Sequence, residues 1–468
     1  MIDSLLRLLR ILWEWMVSFW QSRFGPVLTM DDSGMKVRVG SKIAEGGFSV
    51  VFHATDLGSL QGTPSLANPR HQKYVLKRIR CHDGETRSGC LRESKVHYAI
   101  MRQQQQSQQQ HSPSILAAGG GSRGGRIAST AEETIRESLS GNIMPLLGMT
   151  FCEGNTICYM LFPYLSNSLK REIDRRIFEP MEEATGNTIN KNGSFMSETK
   201  KRQKIKDALR MPPWSETTVL RWFEQLCDAV LLMHEAGFTH RDIKIDNLLL
   251  HPGDPTTMSG PISSSNIYRS GGDASSGVVL MDYGSAGPLT RSLETRKDVL
   301  EIADEASTHT TISYRPPELF AGELRVAAPS RSAHSKAGGE TAVDPELVLD
   351  YRKVDSWMLG CTLFAILFGV SPGECEFSRS TGQLLIVDPT HNKMLGQMPP
   401  WPTDETPPAR WYSTDVRELL GWILQKDRGE RPFVIEIRGR VRELLSQKPS
   451  LFAGERNGGM DVENQGMI

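Results

Sequence analysis

The sequence has no excess of either charge and few cysteines. Its 54 lysine and arginine residues balance 55 aspartate and glutamate residues, so there is no electrostatic reason to expect nucleic acid as a ligand. The seven cysteines are scattered, odd in number and without a Cys-x-x-Cys spacing. This pattern makes no disulfide framework and favours a reducing, cytosolic compartment.

A long uncharged hydrophobic run is also missing. The most apolar stretch, at the N-terminus, is interrupted by Arg7, Arg10 and Glu14. A membrane span needs roughly 18 residues with few or no charges, and a signal peptide needs an unbroken apolar core. The polar positions instead recur at helical spacing and occupy an arc of roughly 80°. We therefore expect an amphipathic helix over residues 2–21 of an N-terminal segment 1–30, whose wide apolar face lies in a membrane interface or docks on the folded domain or a partner.

The remaining composition is globular, with low-complexity interruptions. With 468 residues, of which 38% are hydrophobic, the chain is long enough for two lobes or two domains. Some segments are too polar, or too rich in Gly, Ser and Pro, to bury apolar surface alone. We expect flexible insertions near residues 103–125, 179–211, 252–277 and 321–345, and a polar C-terminal tail over residues 446–468.

A glycine pair and a lysine follow one another near the start of the globular region. Residues 36–52 read KVRVGSKIAEGGFSVVF, which predicts a strand, a turn and a second strand. The glycines let backbone amides approach phosphate oxygens, although an ordinary hairpin turn has the same pattern. The next strand-like run carries Lys77, which is costly to bury unless paired. Glu93, in the helix-like segment that follows, is the candidate partner, although taken without the glycine turn both residues would by default face solvent.

The most specific pattern is HRDIKIDN, which begins at His240. Asp242 can accept the proton of a substrate hydroxyl, and Lys244 can neutralise charge on a transferred phosphoryl group. Asn247 can hold a divalent metal. A short strand then leads into the sequence DYG, whose Asp282 is placed to bind Mg²⁺.

In this order, these motifs resemble those of protein kinases. The resemblance implies an α+β, two-lobe fold over residues 37–445, with a small antiparallel β lobe and a larger helical lobe. It implies ATP and Mg²⁺ as cofactors, Asn247 and Asp282 as metal ligands, and a catalytic set that comprises Asp242, Lys244, Lys77 and Glu93. Contacts to the nucleotide are implied for Ala44, Glu45, Gly46, Gly47, Val51 and Lys77. Ala44 departs from the family pattern, which has glycine there, and weakens the phosphate-binding turn.

The type of kinase is indicated by the context of the motifs. Lys244 after the HRD triplet is typical of serine/threonine kinases. The stretches AEGGFSVV, LMDYGSAG and TISYRPPELF resemble the Numb-associated kinase group, particularly its myristoylated and palmitoylated branch. This implies protein substrates, a membrane-trafficking context and a cytoplasmic location, peripheral on Golgi-like endomembranes. Because the chain begins without Met-Gly and has no cysteine before Cys81, we expect the helix over residues 2–21 to replace the lipid anchor.

The same resemblance implies further contacts and leaves one alternative. Thr311 is expected to bond to the catalytic aspartate, Glu318 to pair with Arg431, and residues 319–350 to supply an extra helical region. Arg241 is of the type that pairs with a phosphorylated residue; the candidates, which are equally well read as unmodified hydroxyls, are Ser307, Thr308 and Thr310. The alternative function is a pseudokinase scaffold that acts through its loops and N-terminal helix, although such proteins usually lack one of the three residues Lys77, Asp242 and Asp282.

Overall fold

The computed structural model describes residues 24–46, 49–57, 73–111, 131–177, 214–251, 277–320, 322–324, 348–377, 384–390 and 412–447. Within these ranges the strands are β1 Val27–Thr29, β2 Lys36–Glu45, β3 Ser49–Asp56, β4 Lys73–Arg80, β5 Gly148–Cys152, β6 Ile157–Pro163, β7 Asn167–Ser168, β8 Phe238–Thr239, β9 Leu248–His251, β10 Gly277–Leu280, β11 Gly287–Pro288, β12 Thr290–Ser292, β13 Val348–Asp350, β14 Cys375–Phe377 and β15 Leu384–Ile386. The α-helices are α1 Gly84–His111, α2 Ala131–Ser140, α3 Leu169–Ile177, α4 Glu216–Glu235, α5 Arg296–His309, α6 Tyr351–Phe368, α7 Thr414–Ile423 and α8 Val434–Ser446.

The small lobe is built on one antiparallel sheet. Its strand order is β1-β2-β3-β4-β6-β5, so the first four strands follow the order of the chain and β6 lies between β4 and β5. Side chains alternate between the two faces of a strand. In β4 this buries Tyr74 and Leu76 in the core of one face and turns Lys77 toward the other. Val51 of β3 lies opposite Lys77, which brings the glycine turn and the lysine onto adjacent strands.

Helix α1 packs against this lobe with a stripe of buried residues. Glu93, His97, Ile100 and Gln104 are all buried, and their spacing of three or four residues places them on one helical face. The glutamine tract was predicted to be a loop from residue 103, and this is wrong for its first part, since α1 continues to His111. Glutamine is a good helix former, and extending an existing helix is easier than starting one.

The large lobe surrounds two helices. Ser215 caps α4 by accepting a hydrogen bond from the backbone N–H of Thr218, a common way to start a helix. Apolar residues that recur at helical spacing along α4 are buried: Val219, Trp222, Phe223, Leu226, Val230 and Met233. Helix α6 is buried on nearly every side, as expected for a helix that is hydrophobic all round, and it ends at Gly369 in the left-handed conformation (φ +75°).

The two lobes are joined by backbone hydrogen bonds as well as by the chain. The N–H of Met144 donates to the carbonyl of Leu280 (3.0 Å), and the N–H of Leu280 donates to the carbonyl of Asn142 (2.9 Å). The segment before β5 therefore pairs with the end of β10 in the large lobe. Together, the antiparallel sheet of the small lobe and the helices of the large lobe confirm the predicted α+β, two-lobe fold.

Several predictions fall on parts of the chain without a described structure. The N-terminal helix over residues 2–21, Gly47 and the C-terminal tail beyond residue 447 lie outside the described residues. Most of the region expected to supply an extra helix does too, while residues 348–350 form β13. Among the described helices, none combines the length and hydropathy needed to cross a membrane.

Candidate active site

A buried aspartate anchors the loop that carries Asp242. Asp355, in α6, is fully buried and accepts hydrogen bonds from the backbone N–H groups of His240 and Arg241, each at 2.9 Å. A ring nitrogen of His234 lies 2.9 Å from the same carboxylate. These contacts hold Arg241 in the left-handed region (φ +66°), which is unfavourable for a residue with a Cβ atom and persists only where surrounding contacts enforce it.

The carboxylate of Asp242 is held by two neighbours predicted from the sequence. One oxygen, Oδ1, accepts from the backbone N–H (3.0 Å) and the hydroxyl (2.8 Å) of Thr311. The other, Oδ2, lies 2.7 Å from Nζ of Lys244, which also donates to the hydroxyl of Thr311 at 2.7 Å. The side-chain amide of Asn247 donates to the backbone carbonyl of Asp242 (2.8 Å). The expected contact between Thr311 and the aspartate is confirmed, and the carboxylate is fixed in orientation.

A second charged cluster crosses from the small lobe to the large one. Nζ of Lys77 lies 2.8 Å from Oε1 of Glu93 and 2.8 Å from Oδ1 of Asp282. Burial by itself lowers the pKa of Lys77, but the two carboxylates outweigh it and raise the pKa above its ordinary value. The charge of Lys77 in turn lowers the pKa of Asp282 to about 2. Lys77 and Asp282 are therefore charged at neutral pH, and the contact between Lys77 and Glu93 is the pairing expected from the sequence.

The two clusters are tied to each other through the backbone. The N–H of Met281 donates to the carbonyl of Asn247 (3.0 Å), and a ring nitrogen of His240 lies 3.1 Å from the carbonyl of Met281. Tyr283 is buried beneath α1, with its ring 4.4 Å from that of His97. The strand that ends at Asp282 is therefore held beside the loop that carries Asp242.

The glycine turn lies at the end of β2. Ala44 pairs with Val51 and Glu45 with Val50 across the β2–β3 ladder, and the N–H of Gly46 donates to the carbonyl of Ser49 (2.8 Å). The predicted strand–turn–strand is confirmed for these residues. Contacts between the turn and a nucleotide stay a prediction.

The side chains suit a magnesium ion that is shared with phosphate groups. The carboxylate of Asp282 is 48% exposed, and the amide of Asn247 uses its nitrogen for Asp242, which leaves its oxygen for a cation. In the described parts of the chain, no group of three or more His, Cys, Asp or Glu side chains forms a metal site. Mg²⁺ prefers one or two carboxylates plus phosphates and water over an all-protein cage, so Asp282 and Asn247 fit it.

A buried ion pair closes the segment that follows Thr311. Glu318 accepts from two nitrogens of Arg431, at 2.7 and 3.1 Å. Arg431 also donates to the carbonyls of Lys353 and Gln425, and its guanidinium lies 5.0 Å from the ring centroid of Trp357. The predicted pair is present, and it attaches the segment containing Thr311 to the core of the large lobe.

Two acidic residues of this site were not found from the sequence. Asp355 lies in a helix of otherwise largely apolar residues, where an acid is costly to bury without partners, and this was the available signal. Glu305, on α5, lies 3.0 Å from a guanidinium nitrogen of Arg241. It stands among other charged residues on a polar helix, so the sequence gives it no distinctive signal.

Comparison with known proteins agrees with this geometry. The protein kinase domain model matches residues 176–440. The serine/threonine-protein kinase 16 of Mus musculus is 23% identical over 414 residues, which cover 87% of this chain and 90% of that protein. The serine/threonine-protein kinase ENV7 of Saccharomyces cerevisiae is 24% identical, covering 73% of this chain and 76% of its own length.

Other matches are shorter or more distant. The chain spans 16% of a probable serine/threonine-protein kinase of Dictyostelium discoideum, with 25% identity over 246 residues, and 58% of the Rattus norvegicus serine/threonine-protein kinase 16. The solved structure of vaccinia related kinase 3 superposes with a TM-score of 0.48 and 14% identity over 90% of each chain. Because the domain model matches more than half of the sequence, this chain belongs to the protein kinase family, among relatives that are serine/threonine kinases.

Proposed function

We propose that this protein transfers the γ-phosphoryl group of ATP to serine or threonine hydroxyls of protein substrates. The observation that carries the proposal is the pair of clusters at the lobe boundary, one around Asp242 and one joining Lys77 to Glu93 and Asp282. Phosphoryl transfer depends mainly on positioning and on neutralising charge. Both clusters hold charged side chains in fixed positions, as positioning and charge neutralisation require. The proposed kinase domain extends over residues 37–445.

Each residue of the two clusters has a separate role in the proposed reaction. The substrate hydroxyl oxygen forms a bond to the γ-phosphorus while the bond to the bridging oxygen of ADP breaks, and Asp242 accepts the hydroxyl proton. Lys244, held at 2.7 Å from that carboxylate, offsets negative charge on the moving phosphoryl group. Lys77, fixed by Glu93, binds the nucleotide phosphates. Mg²⁺ held by Asp282 and Asn247 would supply further charge neutralisation.

The hydroxyl of Thr311 supports a protein substrate. It bridges Asp242 and Lys244 and starts the segment that ends in the buried Glu318–Arg431 pair. This segment is therefore anchored at both of its ends, beside the carboxylate that accepts the proton. A peptide lying along it would present its hydroxyl to Asp242.

Phosphate transfer measured with purified full-length protein tests the proposal. Radiolabelled Mg-ATP is supplied, and incorporation into the protein itself and into a generic basic protein is compared between wild type and Asp242→Asn. We expect Asp242→Asn to lower the rate by about 10² or more, the range for losing a general base. The matched control is Asp228→Asn, which removes an aspartate paired with Arg438 elsewhere in the large lobe and should retain transfer. Equal transfer by wild type and Asp242→Asn would reject the assigned base, while absent transfer and absent ATP binding would favour the pseudokinase scaffold.

We further infer a membrane-trafficking role, within the Numb-associated group and peripheral on endomembranes. Its support is the sequence resemblance together with the amphipathic pattern of residues 2–21. Deletion of residues 2–21 should release the protein from the membrane fraction, because the tryptophan-rich apolar face favours an interface. Unchanged membrane association of the deletion variant would reject this anchor.

A further inference from the structure

Arg241 has a guanidinium group that is almost fully enclosed. The residue is 6% exposed, and its side chain donates to the hydroxyl of Thr239 (3.2 Å) and the carbonyl of Pro288 (2.8 Å). The face of the guanidinium lies 3.5 Å from the ring centroid of Tyr351. A buried cation of this kind needs an anionic partner to offset its lost hydration.

That anion is supplied by the chain itself. Oε1 of Glu305 accepts from Arg241 at 3.0 Å, and Oε2 accepts from Arg291 at 2.7 Å. Arg291 also donates to Glu301, one turn earlier in α5, at 2.8 Å. The guanidinium groups of Arg241 and Arg291 are thus paired with the carboxylates of Glu305 and Glu301 without an added phosphate, and Lys297 also lies 3.4 Å from Glu301.

The three hydroxyl groups that the sequence offers as phosphorylation candidates all donate hydrogen bonds to backbone carbonyls. Ser307 and Thr308 are exposed and donate to the carbonyl of Asp304 within α5. Thr310 is buried, and its hydroxyl donates to the backbone carbonyl of Arg241 (3.4 Å). Among the described residues, Glu305 is the carboxylate in direct contact with the Arg241 guanidinium.

Helix α5 presents Glu305 in a defined geometry. The helix begins with a reciprocal cap, in which the side chains of Thr295 and Asp298 each bond to the backbone of the other, a strong start signal. At its other end, the carbonyl of His309 accepts from the hydroxyl of Ser285 (2.7 Å). Both ends being fixed, Glu305 is held against Arg241 rather than carried on a free loop.

We propose that Glu305 is a positioning residue for phosphoryl transfer. Through Arg241, its carboxylate holds the loop that carries Asp242 (residues 239–247) and the activation segment (residues 282–318) in the arrangement that transfer requires, without phosphorylation. This inference rests on the proposed kinase function. Arg241 is the link because its backbone N–H bonds to Asp355, its carbonyl to Thr310, and its guanidinium to Glu305. Asp242 follows directly in the sequence, so displacement of Arg241 moves the proton acceptor.

Steady-state kinetics of phosphatase-treated, full-length protein test the proposal. Mass spectrometry first verifies that the activation segment carries no phosphate. We expect wild type to keep its rate after this treatment and Glu305→Gln to lose roughly tenfold in kcat, within the range of coupling between sites. KM for ATP should change little, because Glu305 contacts Arg241 rather than the nucleotide-binding residues, and Glu305→Asp should recover part of kcat.

A matched control comes from the same helix. Glu301→Gln removes the same charge and also loses a contact to Arg291, but it leaves the Arg241–Glu305 pair intact, so its kcat should stay near that of wild type. Loss of wild-type activity on phosphatase treatment would overturn the proposal. So would an unchanged kcat of Glu305→Gln, or equal losses in Glu305→Gln and Glu301→Gln.

Amide hydrogen exchange separates this inference from the proposed function. Exchange over residues 239–247 should be faster in Glu305→Gln than in wild type, and unchanged in Glu301→Gln, whether or not the protein transfers phosphate. Absent transfer by wild type with this exchange difference would reject the kinase function and retain only the inference that Glu305 holds residues 239–247 in place through Arg241. Equal exchange in all three proteins would overturn the role of Glu305 itself.

Discussion

Replacing Glu318 by glutamine should destabilise the large lobe severely. The side chain of Arg431 is 0% exposed and that of Glu318 7% exposed, so neither charge has access to bulk water. Glu318→Gln keeps the shape of the side chain but removes the negative charge. Arg431 would then remain as a buried cation whose only acceptors are neutral groups.

The size of the effect follows from the contacts that survive. Breaking a buried ion pair by removing one partner costs about 3–5 kcal/mol. Arg431 would keep its bonds to the carbonyls of Lys353 (2.8 Å) and Gln425 (3.1 Å), and the new amide oxygen can still accept one bond. We therefore expect the lower end of that range, about 3 kcal/mol of unfolding free energy.

Denaturant unfolding of full-length wild type and Glu318→Gln measures this difference, with the transition midpoint shifted at an unchanged slope. The control is Glu443→Gln, which removes the carboxylate of an ion pair to Arg440 whose side chains are 36% and 54% exposed; exposed pairs contribute about 0–1 kcal/mol. A loss below about 1 kcal/mol in Glu318→Gln, equal to that of the control, would refute the argument that burial makes this pair costly to break.

Three further changes have defined outcomes. A Cβ atom on Gly287 would lie 2.3 Å from Cζ of Arg241, so Gly287→Ala should lower both the melting temperature and phosphate transfer, whereas Gly439→Ala, in an open helical position, should gain about 0.5–1 kcal/mol. Burial lowers the pKa of His97 to about 3, so below pH ~6.5 the unfolded chain binds a proton that the folded chain excludes. As the pH is lowered from ~6.5 toward ~3, the free energy of unfolding should therefore decrease by up to about 1.4 kcal/mol per pH unit. His97→Gln should flatten that slope in unfolding measured from pH 7 to pH 5. Thr311→Val should lower kcat with little loss of stability, because it removes the hydroxyl that bridges Lys244 and Asp242, the proposed proton acceptor; an unchanged kcat would mean that the bridge is dispensable.

The parts of the site that lie close together in sequence were predictable. Asp242, Lys244 and Asn247 fall within six consecutive positions, so their shared chemistry is visible as a spacing. Lys77 and Glu93 lie on a strand and the helix that directly follows it, an arrangement that alternation and helical periodicity indicate. Local pattern, reaction chemistry and the resemblance to protein kinases together singled out these residues.

Contacts between distant segments were not predictable in the same way. Asp355 lies 115 positions from His240, and Glu305 lies 64 positions from Arg241. Their roles depend on how α5 and α6 pack around the loop, and neither side chain differs in type from many others in the sequence. Only the folded structure shows which of several carboxylates contacts the loop that carries Asp242.

The glutamine tract shows a different limit of composition. Its polarity predicted a loop, since polar tracts bury little apolar surface. Yet Gln104 is buried, and its side-chain amide donates to the backbone carbonyl of Glu137. A hydrogen-bonded amide can extend the packed face of a helix that apolar residues began, so polarity alone did not mark where α1 ends.

The hydrogen bonds that Leu280 makes with Asn142 and Met144 lie two positions before Asp282, and if the lobes move against each other, these bonds would limit displacement at that point. In a rotation, displacement grows with distance from the axis. A tilt of the small lobe about this ladder would therefore carry the glycine turn through a long arc while Asp282 stayed nearly still. On the proposed function, the β2–β3 turn would then be the part of the nucleotide cleft that moves furthest, and the carboxylate of Asp282, the proposed magnesium ligand, would be the part that moves least.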